Sequence, residues 1–125
     1  MAYLLDTSVV LWALNYPERI GMRTTKILKG ESLFISVASL WEITIKVRAG
    51  RLRVPLPVQK VLDLLGATEL PITTAHIDQL MEIKLPHKDP FDAILVAQAK
   101  TENISLLTTD RQLLESPYTT LSAKS

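Results

Sequence analysis

The residues in this sequence that are best suited to chemistry are four acids set beside apolar segments: Asp6, Glu42, Asp92 and Asp110. A carboxylate in such surroundings costs free energy unless a donor or a cation pairs with it. Gathered together, without thiols or a histidine cluster, the four would form an oxygen-rich pocket suited to Mg²⁺ or Mn²⁺. Divalent ions held by carboxylates suit phosphodiester hydrolysis, because they activate water and stabilise the leaving oxygen.

Three of these acids also have a structural explanation as charges at helix starts. Asp6 separates the apolar stretch "YLL" from "SVVLW", so its side chain could cap the helix that begins there. Asp89-Pro90 is typical of a cap followed by proline at the first helical position, which would place Asp92 near the positive end of that helix. Asp110 could likewise begin a helix or a turn. For each acid taken alone, both explanations stay open.

Glu42 lies within the segment "SVASLWEITIK". Lys46 follows it by four residues, in the better orientation for a helical ion pair, so a surface salt bridge is one explanation. Trp41 and Ile43 flank it and Ile45 follows, so the helix is apolar almost all round, as a buried helix would be. An acid in a buried helix would favour a functional role.

Short segments rich in Leu, Ile and Phe alternate with longer segments of helical spacing. The predicted strands are 2–6, 32–36, 69–72 and 104–108, with a last strand over 118–121. The predicted helices are 7–14, 18–28 closed by Gly30, 37–48 capped by Ser36 and ended by Gly50, 57–66, 73 or 74 to 83, 89 or 90 to 102, and a short one after Asp110.

Strands that alternate with helices, without hairpin signals, predict a parallel sheet covered on both faces. Functional sites in such sheets gather outside the carboxyl ends of the strands. Asp6 ends the first strand and Asp110 follows the strand "SLLTT", so both are expected at the same edge of the sheet.

The composition indicates a globular protein with one domain over residues 1–125. Hydrophobic residues make up 47% and charged residues 22% of the 125 residues. We expect no membrane span, because no apolar run approaches the roughly 18 residues needed. We also expect no signal peptide, because Asp6 interrupts the only early apolar stretch. The absence of cysteine excludes disulfides and thiolate metal sites, and it fits a cytoplasmic protein.

Other kinds of chemistry have little support. Four glycines form no phosphate-binding loop, and no serine-centred elbow motif is present. His76 and His87 are too few and too far apart to suggest a zinc site, and each is expected at the surface or in a helix cap. Trp12 and Trp41 are expected in the core rather than as platforms for stacked bases.

Basic residues form two groups that no acid interrupts. From Ile43 to Lys60 the run contains Lys46, Arg48, Arg51 and Arg53, which are candidates for binding an RNA backbone. Arg19, Arg23, Lys26 and Lys29 form the second group. The alternative explanation of both is a solvated face.

The sequence resembles the PIN-domain ribonucleases and, within them, the VapC toxins of type II toxin–antitoxin systems. The resemblance covers nearly the whole chain. It depends on "LLDTSVVLW", "LPITTAHIDQL" and "LLTTD", and above all on "SVASLWEITIKVRAGRL" followed about 50 residues later by "HKDPFDAILVAQA". The resemblance implies a three-layer α/β/α sandwich with a central parallel sheet.

The resemblance also implies a metal-dependent endoribonuclease that uses Mg²⁺ or Mn²⁺. The catalytic and metal-binding acids would be Asp6, Glu42, Asp92 and Asp110, supported by Ser8 and by Asp89 as a cap. The implied partners are an RNA substrate, a small cognate antitoxin and a second copy in a homodimer. Two alternatives stay open: a catalytically inactive RNA- or protein-binding module, and a small-molecule phosphatase or signalling receiver.

Overall fold

Five parallel strands form the sheet at the centre of the computed structural model, which describes residues 1–86 and 88–125. His87 therefore lies outside the described residues, and so does its expected surface or capping role. The strands are β1 (Ala2–Leu5), β2 (Ser32–Ser36), β3 (Ala67–Leu70), β4 (Ser105–Thr108) and β5 (Thr120–Ser122). Their order across the sheet is β3-β2-β1-β4-β5.

Helices connect the strands. They are α1 (Thr7–Asn15), α2 (Met22–Gly30), α3 (Val37–Arg48), α4 (Gln59–Leu65), α5 (Thr74–Gln79), α6 (Pro90–Glu102) and α7 (Arg111–Leu114). Two short 3-10 helices cover Pro17–Arg19 and Leu80–Glu82.

Both faces of the sheet are covered, because successive strand residues point into opposite cores. Leu5 on β1 belongs to a buried cluster with Val9 of α1 and Ile43 of α3. Its neighbour Leu4 belongs to a second cluster with Leu95 of α6. The predicted α/β/α sandwich is therefore confirmed.

Local chemistry explains most of the helix ends. Ser36 caps α3, since its Oγ accepts a hydrogen bond of 3.0 Å from the backbone N–H of Ala38. Gly66 ends α4 with a φ of 63°, a left-handed conformation that favours glycine. The side chain of Asp89 caps α6 and Pro90 follows it at the first helical position, as predicted.

His76 has the capping role that was one of its two expected roles, and it is buried rather than at the surface. Its Nδ1 accepts the N–H of Thr73 at 3.0 Å at the start of α5. Its Nε2 lies 2.8 Å from Glu102 at the end of α6, so the ring joins the two helices.

Several predicted boundaries were wrong by a few residues. α2 begins at Met22 rather than residue 18, because residues 17–19 form a separate 3-10 helix and the backbone of Ile20 and Gly21 is extended. α4 begins at Gln59, since Lys60 N–H bonds to Pro57 in a tighter turn first. β3 starts at Ala67 rather than residue 69, because the turn at Gly66 leads directly into it.

The ends of two further elements differ from the prediction. α5 stops at Gln79 and continues as a 3-10 helix to Glu82, so the helix predicted to residue 83 changes type in its last turn. The last strand covers Thr120–Ser122 rather than 118–121. Its register is set by pairing with β4, which joins Leu106 to Thr120, and the local sequence does not encode that partner.

α3 is not the fully buried helix that its apolar sequence predicted. Its side chain Trp41 is 63% exposed and Ile45 is 45% exposed. Placing Trp41 in the core was therefore wrong, whereas Trp12 is half-buried. The reason is that α3 packs on the sheet with one side only, through residues such as Leu40 and Ile43. Among the described residues, no helix combines the length and apolar character needed to span a membrane.

The packing of α6 on the sheet predicts which leucines stabilise the fold. Leu95 is 1% exposed, so Leu95→Ala should lower the free energy of unfolding by about 2–5 kcal/mol, since it leaves a cavity in the core. Leu64, 65% exposed on α4, is the matched control. Leu64→Ala should change the free energy of unfolding by no more than about 0.5 kcal/mol. Urea unfolding measures both. Equal effects of the two substitutions would contradict the packing described.

Candidate functional site

A cleft at the carboxyl edge of the sheet contains all four predicted acids, and we call it the acidic cleft. Its volume is about 270 Å³. The cleft is lined by Asp6, Thr7, Ser8, Leu11, Glu42, Lys46, Asp89, Asp92, Thr109 and Asp110. The sequence-predicted residues Ser8, Lys46 and Asp89 thus lie with the four acids in one place.

Four different elements bring these acids together. Asp6 follows β1, and Asp110 lies two residues beyond the end of β4. These strands are neighbours, and the N–H of Asp6 donates to the carbonyl of Leu107 at 3.0 Å. Glu42 comes from the middle of α3 and Asp92 from the first turn of α6.

Asp6 is the most buried of the acids, with 4% of its surface exposed. Its Oδ1 accepts hydrogen bonds from Ser8 Oγ at 2.6 Å and from the N–H of Val9 at 2.9 Å. Its Oδ2 accepts one from Thr108 Oγ1. Burial raises the pKa of this carboxyl; the donors oppose that rise, and the charge of Asp110 adds to it. Asp6 is therefore both the cap of α1 and a destabilised charge in the cleft.

Threonine hydroxyls that sequence reasoning missed organise this side of the cleft. Thr109 Oγ1 donates to Ser8 Oγ at 2.7 Å, and Ser8 in turn donates to Asp6. Thr108 donates to Asp6 and accepts the N–H of Asp110 at 2.9 Å. The signal in the sequence was the pair of threonines directly before the acid in "LLTTD".

Glu42 is held by a hydroxyl and an ammonium group. Thr7 Oγ1 donates to Glu42 Oε1 at 2.6 Å, and the Ser39 hydroxyl lies 3.1 Å from the same Thr7 oxygen. Lys46 Nζ is 3.4 Å from Glu42 Oε2. The predicted helical ion pair therefore exists, but it lies in the acidic cleft rather than on an open surface.

Two further acids of the cleft act as caps. Asp110 Oδ1 accepts the N–H of Gln112 at 2.8 Å and so begins α7. Asp89 Oδ1 accepts the N–H of Phe91 at 2.9 Å, which places Asp92 in the positively polarised first turn of α6. Capping and a place in the cleft thus coexist in the same side chains.

The donor set of the acidic cleft fits a hard divalent cation, because the described residues of its lining offer carboxylates and hydroxyls and include neither histidine nor a thiol. No group of three or more His, Cys, Asp or Glu side chains within residues 1–86 and 88–125 is spaced to hold a metal ion. Instead, Asp6 and Asp110 accept nearby N–H or O–H groups, and Glu42 pairs with Lys46. A cation would compete with Lys46 for Glu42.

The other predicted RNA-binding residues lie elsewhere. Arg48 ends α3, and Arg51 and Arg53 follow it; none of the three belongs to the lining of the acidic cleft. A larger cavity of about 440 Å³ lies near the start of β4, between α6 and β5. Its lining contains Lys100 and Tyr118 but no carboxylate, so it does not share the chemistry of the cleft.

Comparison with known families supports the sequence resemblance. A family model described as the PIN domain matches residues 3–116. The chain belongs to the PIN-domain family. No curated protein matches the sequence significantly.

The PIN fold of this chain is also found in solved structures of low sequence identity. VapBC2 from Rickettsia felis bound to a promoter DNA fragment has a TM-score of 0.72 at 17% identity, with 98% of each chain covered. DNA-bound VapBC from Salmonella typhimurium has a TM-score of 0.68 at 18% identity, again over 98% of both chains. A toxin–antitoxin complex from Klebsiella pneumoniae has a TM-score of 0.64 at 17% identity, over 95% of both. At such identities the likeness shows the fold alone.

The burial of Asp6 predicts a pH-dependent gain from Asp6→Asn in EDTA. The folded-state pKa lies above the reference value of 3.8, so ionisation of Asp6 destabilises the folded protein as pH rises through that range. Asparagine caps a helix as well as aspartate does. The variant should therefore unfold at higher urea than wild type near neutral pH, and the difference should shrink as pH falls toward 3.8.

The exposed Asp78 on α5 supplies the control, since Asp78→Asn should show no such pH-dependent gain. An Asp6→Asn variant that is less stable than wild type at neutral pH would show that the hydrogen bonds of the carboxylate outweigh its burial.

Proposed function

We propose that this PIN-domain protein is a metal-dependent endoribonuclease and the toxin component of a type II toxin–antitoxin system. The observation that carries the proposal is the acidic cleft, in which Asp6, Glu42, Asp92 and Asp110 line one cavity at the carboxyl edge of the sheet. Membership of the PIN-domain family supports it. The substrate would be RNA and the protein cytoplasmic.

The four acids would hold one or two Mg²⁺ or Mn²⁺ ions. A bound ion would lower the pKa of a water molecule and neutralise charge on the phosphate. Ser8, Thr108 and Thr109 keep the Asp6 carboxylate oriented by donating to it directly or in series. Lys46 provides a positive charge within the cleft, which would attract an RNA phosphate.

The proposed partners follow from the cleft and from the similar structures. VapBC2 and VapBC are complexes bound to DNA, and the Klebsiella pneumoniae structure is a toxin–antitoxin complex. We infer a small antitoxin that places an Arg or Lys among the carboxylates of the cleft, where it would pair with them and exclude the metal. We also infer a homodimer, since symmetric pairing is the commonest assembly of soluble proteins.

Asp92→Asn tests the metal role directly. Loss of a residue that only supports a metal ligand typically costs about 10- to 100-fold in activity. Removing a ligand itself should cost more, so RNA cleavage should fall by about 100-fold or more. The same variant should lose most of the rise in melting temperature that millimolar Mg²⁺ or Mn²⁺ gives wild type, because an ion that binds only the folded state stabilises it by mass action.

Asp78→Asn is again the matched control, since it removes an exposed carboxylate outside the cleft. It should keep both the cleavage rate and the metal-induced rise. Full cleavage by Asp92→Asn would remove this residue from the proposed site. RNA binding by wild type without any cleavage would instead favour the catalytically inactive binding module.

The arginines at the end of α3 and after it predict a salt dependence of RNA binding. Replacing Arg48, Arg51 and Arg53 with alanine should weaken binding and reduce the log–log salt slope by about 0.7 for each phosphate that is no longer neutralised, because fewer counterions are released from single-stranded RNA. The triple replacement with lysine keeps the charge and is the control. Fluorescence anisotropy over a range of salt concentrations measures both, and an unchanged slope in the alanine variant would place these arginines away from RNA.

A further inference from the structure

α3 carries two adjacent rows of side chains with different surroundings. Glu42 and Lys46 form one row, and both line the acidic cleft. Trp41, Ile45 and Arg48 form the neighbouring row, of which Trp41 and Ile45 are exposed apolar side chains. Adjacent residues on a helix are about 100° apart. The neighbouring row is therefore turned away from the cleft by a little more than a quarter of a turn, and Trp41 within it directly precedes Glu42.

Trp41 is held in place by α6, the other helix that supplies an acid. Its ring meets the ring of Phe91 edge-on, with 5.5 Å between centroids and 70° between planes. Phe91 packs against the cluster of Ala38, Ile94 and Ala97, where α3 meets α6. The edge-to-face contact fixes the indole while leaving most of its surface in water. The two rings thus form an aromatic surface at the margin of the cleft, since Trp41 directly precedes Glu42 and Phe91 directly precedes Asp92.

The chemistry around Trp41 favours a nucleobase as the group that covers this surface. Aromatic side chains stack on unpaired bases of any sequence, and such platforms work beside positive charges that follow the phosphates. Arg48 ends the same row, about 10 Å along the helix axis from Trp41, and Lys46 lies in the cleft beside it. An RNA strand with a phosphate in the acidic cleft would have a base within reach of the indole.

We propose that Trp41 is a stacking platform for an unpaired base next to the scissile phosphate. This inference rests on the proposed nuclease function, because only a nuclease has a scissile phosphate beside the stacked base. In a duplex both faces of each base are already stacked, so Trp41 has no free base to cover it.

The intrinsic fluorescence of Trp41 provides the test. The sequence contains two tryptophans, so Trp12→Phe leaves Trp41 as the only reporter. A single-stranded oligoribonucleotide added in EDTA or in Ca²⁺ should quench its emission, and the same sequence in a duplex should quench it much less. Loss of the platform in Trp41→Ala should raise the Kd for single-stranded RNA roughly 5- to 150-fold, and Trp41→Phe should recover part of that loss.

Cleavage kinetics separate a platform from a merely structural role. In Mg²⁺ or Mn²⁺, Trp41→Ala should raise KM for single-stranded RNA by a similar factor while kcat changes much less, because the interaction holds the substrate before and during reaction alike. Leu64→Ala, which removes an equally exposed apolar side chain on α4, should leave Kd and KM unchanged. Unaltered melting of Trp41→Ala establishes that the variant is folded.

Several results would overturn the platform. They are no quenching by single-stranded RNA in either EDTA or Ca²⁺, equal quenching by duplex RNA, and an unchanged Kd in Trp41→Ala. A Trp41→Ala variant that binds RNA normally but no longer self-associates would assign this surface to a second copy of the chain instead. If RNA quenches Trp41 fluorescence but the wild-type protein cleaves no RNA in Mg²⁺ or Mn²⁺, the nuclease proposal is wrong and Trp41 belongs to a binding surface only.

Discussion

The burial of one carboxylate, Asp6, constrains the whole carboxyl edge of the sheet. Removed from water at the end of β1, this group must be surrounded by donors, and it receives them from Ser8, from the N–H of Val9 and from Thr108. The first two belong to α1 and the third to β4. The position of α1 and the pairing of β1 with β4 are therefore tied to one side chain. A raised pKa indicates that these donors do not fully compensate for burial.

Local hydrogen bonds and an ion pair also lower the free-energy cost of other acids in the cleft. Asp89 and Asp110 accept backbone N–H groups at the starts of α6 and α7, and Glu42 shares a hydroxyl of Thr7 and the ammonium of Lys46. Each interaction is ordinary in structural terms. Helix capping and ion pairing do not explain why so many acids line a single cavity of about 270 Å³, and this clustering favours a functional role. Stabilising groups that also line a site are a common compromise between stability and function.

α3 has a double role because it covers the sheet with one side and the acidic cleft with another. Ile43 enters the buried cluster, Glu42 lines the cleft, and Trp41 faces water. Three consecutive residues thus belong to core, site and surface. The edge-on contact of Trp41 with Phe91 links this helix to α6, so the two helices that provide Glu42 and Asp92 are held together outside the cleft as well as within the core.

The sequence by itself determined the features that depend on local interactions. Strand–helix alternation, the caps at Ser36 and Asp89, and the placing of Asp6 and Asp110 at one edge follow from periodicity and from side chains that bond to nearby backbone. Only the tertiary structure decided the rest. An apolar helix pattern does not say which side a sheet will cover, so the exposure of Trp41 was missed. The bond from Thr108 to Asp6 joins residues 102 positions apart, and only the pairing of β1 with β4 creates it.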